Sequence, residues 1–203
     1  MRKIAAIDIG SNAVRMLICY VLMNEDEYFF QKNQYIRLPL RLGEDSFITG
    51  SISDDKINTL SNALLSFKHT MKVHGVEHYQ IYATSALRDS KNSNDVIKQI
   101  YDLTGMKIKL IDGLKEANVI AMGNPIEKLD VNKTYLYVDV GGGSTEYSIL
   151  RRGDDKKSKS FNIGTVRLIN NLFDVSVFDE IKEWINENIE DDLKLKVFAT
   201  GGN

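Results

Sequence analysis

The feature that most constrains the fold is a glycine-rich turn between two apolar stretches, at residues 134–149. Residues 135–140 are aromatic and β-branched, which predicts a buried strand, and a second strand resumes at residue 147. Between them, Gly141, Gly142 and Gly143 permit positive φ angles and close backbone approach. A glycine turn with unobstructed amide groups is a nest for an anionic oxygen, so we predict a phosphate-binding loop. The alternative is a plain glycine hairpin, although three glycines exceed what a turn needs.

Two carboxylates flank this loop. Asp139 lies just before the glycines and Glu146 just after them. A carboxylate facing a phosphate is repulsive unless a cation lies between them, so the pair predicts a divalent metal site. Hard oxygen ligands favour Mg²⁺.

The pattern of strand, Asp-x-Gly turn and strand occurs twice. It is present at residues 4–23, around Asp8 and Gly10, and again at residues 135–150. Such duplication predicts an α/β protein of two domains, residues 1–124 and 125–203. Duplicated α/β proteins commonly bind their ligand in the cleft between the two halves, and both turns are expected to face it.

Helix signals lie between the two repeats. Ser53 is a plausible N-cap, Asp54 and Asp55 suit a helix N-terminus, and Gly75 is expected to end the helix. Residues 39–52 carry no clear periodicity and are predicted to be a loop.

Composition excludes several classes of function. The 203 residues have 43% hydrophobic content and a formal net charge of −2, which fits a soluble globular protein with no bulk attraction to DNA or to a membrane. Cys19 is the single cysteine, so an internal disulfide is excluded and the reducing cytoplasm is the expected location. No apolar segment approaches the ~20 residues of a membrane span.

Several motifs, in order along the chain, resemble one protein family. They are Ala6-Ile-Asp-Ile-Gly-Ser-Asn-Ala-Val-Arg, Leu40-Arg-Leu-Gly-Glu, Ala83-Thr-Ser-Ala-Leu-Arg, Gly113-Leu-Lys-Glu-Ala, Val138-Asp-Val-Gly-Gly-Gly-Ser-Thr-Glu, Ile163-Gly-Thr-Val-Arg-Leu and Thr200-Gly-Gly. Together they resemble the exopolyphosphatase and guanosine pentaphosphate phosphohydrolase (Ppx/GppA) family of the actin-like ATPase superfamily. The resemblance implies two tandem ribonuclease H-like domains with a ligand cleft between them, the second incomplete here.

The resemblance also implies an activity and a site. The activity is hydrolytic release of terminal phosphate from polyphosphate or guanosine pentaphosphate, with Mg²⁺ or another divalent cation as cofactor. The implied phosphate-binding residues are Ser11, Asn12, Arg88, Gly141, Gly142, Gly143, Ser144 and Thr145. Asp139 and Glu146 would hold the metal, and Glu116 would orient the attacking water. Such chemistry requires charge neutralisation and a placed nucleophile.

Each assignment has a structural alternative. Arg88 could form a surface ion pair with Asp89, Glu116 could merely favour a helix N-terminus, and Asp8 could cap its turn. The family usually carries two adjacent glutamates where this chain has Lys115 and Glu116.

Two other functions stay open at this point: a kinase of the same superfamily, and a non-catalytic sensor of polyphosphate or of a guanosine alarmone. Lys115 favours the sensor. A homodimer is expected. Family members continue past the Thr200 turn, so we expect the 203-residue chain to be a fragment, or the ordered part of a longer chain, that exposes apolar surface. Made alone, it is expected to self-associate or to lose much of its activity.

Overall fold

The structure, a computed structural model, describes residues 2–24, 27–122, 130, 133–151, 157–189 and 195–201. It is a mixed α/β protein with two sheets. The chain divides into two compact units, residues 1–110 and residues 111–203. None of the described helices combines the length and apolar character needed to cross a membrane.

The first unit contains a five-stranded sheet in the order β3-β2-β1-β4-β5. Its strands are β1 (Arg2–Ile9), β2 (Val14–Asn24), β3 (Glu27–Leu38), β4 (His78–Ala83) and β5 (Lys109–Leu110). Its helices are α1 (Leu42–Ile48), α2 (Asp54–His74), α3 (Ser85–Arg88) and α4 (Ser93–Thr104). Strand β1 is antiparallel to β2 and parallel to β4.

Helix α2 supplies much of the first core. Its buried side chains, which include Leu60, Leu64 and Phe67, pack with Ile7 and Met16 of the sheet. Burying a side chain of this size contributes roughly 1.5–3 kcal/mol. The predicted helix ends are confirmed: the Ser53 hydroxyl accepts from the Lys56 amide, and Gly75 has a left-handed φ of 67°.

The prediction of a loop over residues 39–52 is wrong, because α1 lies within it. This helix has only seven residues, too few to display a helical period. Tertiary contacts hold it: the Arg41 amide donates to the Asn12 carbonyl at 2.9 Å, and the Gly43 amide donates to the Ser11 carbonyl at 2.8 Å. Leu42 is fully buried.

The second unit contains a four-stranded sheet in the order β8-β7-β6-β9. Its strands are β6 (Thr134–Val140), β7 (Thr145–Leu150), β8 (Lys157–Phe161) and β9 (Leu195–Gly201), and its helices are α5 (Gly113–Met122), α6 (Thr165–Ile169) and α7 (Val177–Asn188). Trp184 and Tyr147 make edge-to-face contacts with Phe161 on one side of this sheet. Burial there raises the pKa of Tyr147.

Helix α5 lies in the second unit, whereas the sequence prediction placed it in a first domain of residues 1–124. The physical reason is its packing, since α5 contacts β7 and β8. The predicted domain boundary between residues 124 and 125 lies outside the described residues.

The two sheets share one strand pattern. In each, a central strand is antiparallel to the next strand of the chain and parallel to a later one: β1 with β2 and β4, and β6 with β7 and β9. The hairpin turns occupy the same position. Ile9 pairs with Val14 and Val140 pairs with Thr145, so four residues form each turn.

Candidate phosphate and metal site

The turn at residues 141–144, here called the glycine loop, joins β6 to β7. The Gly141 amide donates to the Ser144 carbonyl at 2.9 Å and closes it. The glycines of the loop permit positive φ angles, but the described glycines with a positive φ are Gly50, Gly75, Gly105 and Gly201. Close packing requires glycine at Gly141 and at Gly164, the residue before α6. A Cβ built on Gly164 would lie 2.6 Å from the Gly142 carbonyl, and one on Gly141 would lie 2.9 Å from the Ser144 carbonyl oxygen.

The carbonyls of Gly141, Gly142 and Gly143 accept hydrogen bonds from the first residues of α6. The Thr165 and Val166 amides donate to the Gly141 and Gly142 carbonyls at 3.0 and 2.9 Å. The Arg167 Nε donates to the Gly143 carbonyl at 2.8 Å. Within the described part of the chain, no acceptor meets the amides of Gly142, Gly143 or Ser144. Three such amides in a row can bind an anionic oxygen.

Asp139 and Glu146 lie directly opposite each other on β6 and β7. Directly opposed residues of an antiparallel pair share one sheet face, and like charges there are destabilising. Glu146 is almost fully buried, at 2% exposure. A cation between the two carboxylates would relieve the repulsion.

The first unit has an opposite-charge pair at the same position. Asp8 lies opposite Arg15 in the β1–β2 register, and their side chains form an ion pair at 3.3 Å. The second unit replaces this arginine with Glu146. A like-charged pair where the first unit has an ion pair is what we expect at a cation-binding site. The carboxylate oxygens are hard donors, which suit Mg²⁺.

Two hydroxyls hold these carboxylates in place. Ser160 on β8 donates to Glu146 Oε1 at 2.8 Å, and Thr200 on β9 donates to Asp139 Oδ1 at 2.8 Å. The strand register sets the four side chains in one row across the sheet. Among the described residues, no group of three or more His, Cys, Asp or Glu side chains is arranged to hold a metal. Magnesium is commonly bound through one or two carboxylates together with substrate phosphates, so a pair is sufficient.

Helix α5, which carries Glu116, packs on β7 and β8. Asp112 caps this helix by accepting from the Lys115 amide at 2.7 Å. Gly113 packs on Ser160, where an added Cβ would lie 2.5 Å from the serine Cβ. Glu116 shares this helix face at the i+3 position, and its Oε2 is buried. The carboxylate therefore lies on the side of α5 that faces β7 and β8.

Ser144 and Thr145 are buried at the end of the loop. The Thr145 hydroxyl donates to the Ile163 carbonyl, so the structure gives this side chain a packing partner. A phosphate contact through its hydroxyl stays a prediction. The Ser144 amide meets no acceptor among the described residues, and its contact with phosphate also stays a prediction.

Three other predicted phosphate-binding residues lie in the first unit: Ser11 and Asn12 in its hairpin turn, and Arg88 in α3. Ser11 is buried, with its hydroxyl 3.0 Å from that of Ser85. Asn12 accepts from the Arg41 amide through its carbonyl. Arg88 ends α3, and its Nε donates to Asp89 Oδ1 at 3.1 Å. The ion pair that is the alternative role of Arg88 is thus present, and phosphate contact by Ser11, Asn12 and Arg88 stays a prediction.

Sequence reasoning missed three residues of the second unit: Ser160, Arg167 and Thr200. Arg167 and Thr200 fall within motifs quoted above, but their contacts depend on the packing of α6 and on strand register. Ser160 has no sequence signal. Only its pairing opposite Glu146 identifies it.

Known proteins are similar to this chain in sequence and in fold. The chain is 33% identical over 200 residues to a bifunctional 3-dehydroquinate synthase/phosphatase of Fusobacterium nucleatum, covering 92% of this chain and 30% of that protein. It is 30% identical to exopolyphosphatase 2 of Mycobacterium tuberculosis, covering 83% of this chain and 54% of that protein. The crystal structure of an exopolyphosphatase from Cytophaga hutchinsonii superposes with a TM-score of 0.83 at 25% identity, covering 99% of this chain and 67% of that one.

The chain therefore spans 30% and 54% of the lengths of these two curated relatives. The family match itself is broad, extending over residues 22–197. It confirms the resemblance inferred from the motifs. The chain belongs to the Ppx/GppA phosphatase family.

Proposed function

We propose that this chain hydrolyses a phosphoanhydride and releases terminal phosphate from polyphosphate or guanosine pentaphosphate. The observation that carries the proposal is the opposed pair Asp139 and Glu146 beside a glycine loop, in which the amides of residues 142–144 meet no acceptor among the described residues. Family membership and the exopolyphosphatase relative support it. We further propose that the two units are the two ribonuclease H-like domains of an actin-like protein.

The residues have separate roles in this proposal. The amides of Gly142, Gly143 and Ser144 donate to oxygens of the terminal phosphate and stabilise charge there. Asp139 and Glu146 hold Mg²⁺, which supplies charge neutralisation at the phosphate oxygens when bound. Ser160 and Thr200 hold the two carboxylates in position.

Glu116 places the nucleophile. Its carboxylate accepts a hydrogen bond from water and takes the proton as the water oxygen attacks the terminal phosphorus. One P–O bond forms, the bridging P–O bond breaks, and the products are inorganic phosphate and the shortened chain. General-base catalysis of this kind contributes roughly 10²- to 10⁴-fold. The position of Glu116 fits this role, because its Oε2 is buried on the side of α5 that faces β7 and β8.

The experiment measures phosphate release from long-chain polyphosphate and from guanosine pentaphosphate, with Mg²⁺ and with EDTA. We expect release that requires Mg²⁺ and is lost in the double variant Asp139→Asn, Glu146→Gln. Comparing the two substrates identifies the preferred one. Binding of polyphosphate without any release in Mg²⁺ would overturn hydrolysis in favour of the sensor, and phosphate transfer from ATP to an acceptor would favour the kinase.

A further inference from the structure

Peptide geometry links the carbonyls of the glycine loop to its amides. A planar trans peptide points its C=O and N–H in opposite directions. The Gly141, Gly142 and Gly143 carbonyls therefore belong to the same peptide planes as the Gly142, Gly143 and Ser144 amides. Since α6 holds all three carbonyls, at 3.0, 2.9 and 2.8 Å, the three amides turn to the other side.

The three carbonyls are held by different groups. Thr165 and Val166 use backbone amides, which almost any residue would supply at those positions. Gly143 depends on the guanidinium of Arg167, at 2.8 Å from its Nε. Arginine offers a planar, fixed N–H that lysine does not reproduce. The orientation of the third peptide plane is therefore set by one side chain.

The first unit holds its turn in a similar way. There the Gly10 amide donates to the Ala13 carbonyl at 3.0 Å, as Gly141 does to Ser144. The Ser11 and Asn12 carbonyls accept from the Gly43 and Arg41 amides at 2.8 and 2.9 Å. Asn12 occupies the turn position of Gly143, so the first unit uses a backbone amide where the second uses the Arg167 side chain. The arrangement thus occurs independently in both units.

We propose that Arg167 is a positioning residue, which holds the Gly143 carbonyl and thereby directs the amides of the glycine loop toward phosphate. This inference rests on the proposed function, in which those amides bind the terminal phosphate. Arg167 itself is not required to touch the substrate. Arg167 affects binding by fixing the orientation of the peptide between Gly143 and Ser144, and hence the direction of the Ser144 amide.

The test compares Arg167→Lys and Arg167→Gln with Arg151→Lys. Arg151 is the matched control, because its side chain also donates to a backbone carbonyl, that of Asn188 at 3.3 Å, but at the opposite end of β7. Amide proton and nitrogen shifts of residues 142–144 are recorded by NMR on ¹⁵N-labelled protein without ligand. Binding of pyrophosphate is then measured by calorimetry for each variant.

We expect both Arg167 variants to shift the loop amides in the ligand-free protein and to raise the pyrophosphate Kd about tenfold. Arg151→Lys is expected to leave both unchanged. Unchanged loop amides overturn the inference, and they do so even if the Kd rises, because Arg167 would then contact the ligand directly. A parent protein that binds no pyrophosphate overturns the proposed function, while shifted loop amides in the variants would still support the structural role of Arg167.

Discussion

Asp139 lies directly opposite Glu146 across the β6–β7 hairpin, whereas Asp8 at the same place in the first unit lies opposite Arg15. One hairpin pairs unlike charges and the other pairs like charges. Directly opposed like charges destabilise a sheet, so the second hairpin gains from a bound cation and the first does not.

This difference predicts opposite responses to charge removal. Asp139→Asn or Glu146→Gln is expected to raise the unfolding temperature in EDTA, because one of two repelling charges is removed. The same variants are expected to lose most of the stabilisation that Mg²⁺ gives the parent protein, since ligand stabilisation follows affinity for the folded state. Differential scanning fluorimetry over a Mg²⁺ series measures both effects.

Asp8→Asn is the control for that series. It removes a half-exposed ion pair, which is worth about 0–1 kcal/mol, so the unfolding temperature is expected to stay level or fall slightly. The Mg²⁺ response should match that of the parent. Equal Mg²⁺ responses in the parent and in Asp139→Asn would remove this carboxylate from the metal site.

Glu116→Gln tests the placement of water. The amide keeps the shape of the side chain and loses its basicity, so we expect kcat to fall roughly 10²- to 10⁴-fold. Substrate affinity should hold or improve slightly, because one negative charge leaves a polyanion site. Steady-state kinetics of phosphate release separates the two parameters. Lys115→Glu, at an exposed neighbouring position, is expected to weaken affinity through added repulsion and to retain the base.

The matched control for Glu116 is Glu180→Gln. Glu180 is also an acid in the first turn of a helix, α7. Both variants lose a charge that favours a helix N-terminus, an effect of about 0.3–1 kcal/mol. If Glu116→Gln and Glu180→Gln have equal kcat values, Glu116 only stabilises the N-terminus of its helix and does not act as the general base.

Gly164→Ala tests the close packing of α6 against the glycine loop. The added Cβ would lie 2.6 Å from the Gly142 carbonyl carbon and oxygen, which are backbone atoms, so the loop must shift. We expect weaker pyrophosphate binding, measured by calorimetry, because the loop amides move with the backbone. Gly75→Ala is the control. It strains a left-handed residue with open space around it and should lower stability without changing pyrophosphate affinity.

Arg88→Ala and Asp89→Asn separate the two interpretations of Arg88. If the arginine binds phosphate, Arg88→Ala raises KM for polyphosphate and Asp89→Asn does not. If the pair is only a surface ion bridge, the two variants change stability equally, by up to about 1 kcal/mol, and leave KM alone. We expect the first outcome, measured by phosphate-release kinetics and thermal unfolding together.

Local chemistry made part of this protein predictable from its sequence. The ends of α2 followed from Ser53 and Gly75, and both hairpins followed from apolar strands broken by glycine. The motifs also predicted the family, which the match over residues 22–197 confirms. These features depend on residues close together in the chain, so a short stretch of sequence contains their signal.

Contacts between distant residues were decided by the tertiary structure. Thr200 bonds to Asp139 across 61 residues, and Arg167 reaches Gly143 across 24. Helix α1 formed where a loop was predicted, because the Gly43 amide and the amide of the preceding Arg41 bond to the carbonyls of Ser11 and Asn12. Gly141 and Gly164 pack closely on neighbouring backbone atoms, and neither is among the described glycines with a positive φ. Short stretches of sequence specify which residues form the two turns. Strand register and helix packing place the side chains around those turns, because these contacts exist only after distant segments have packed.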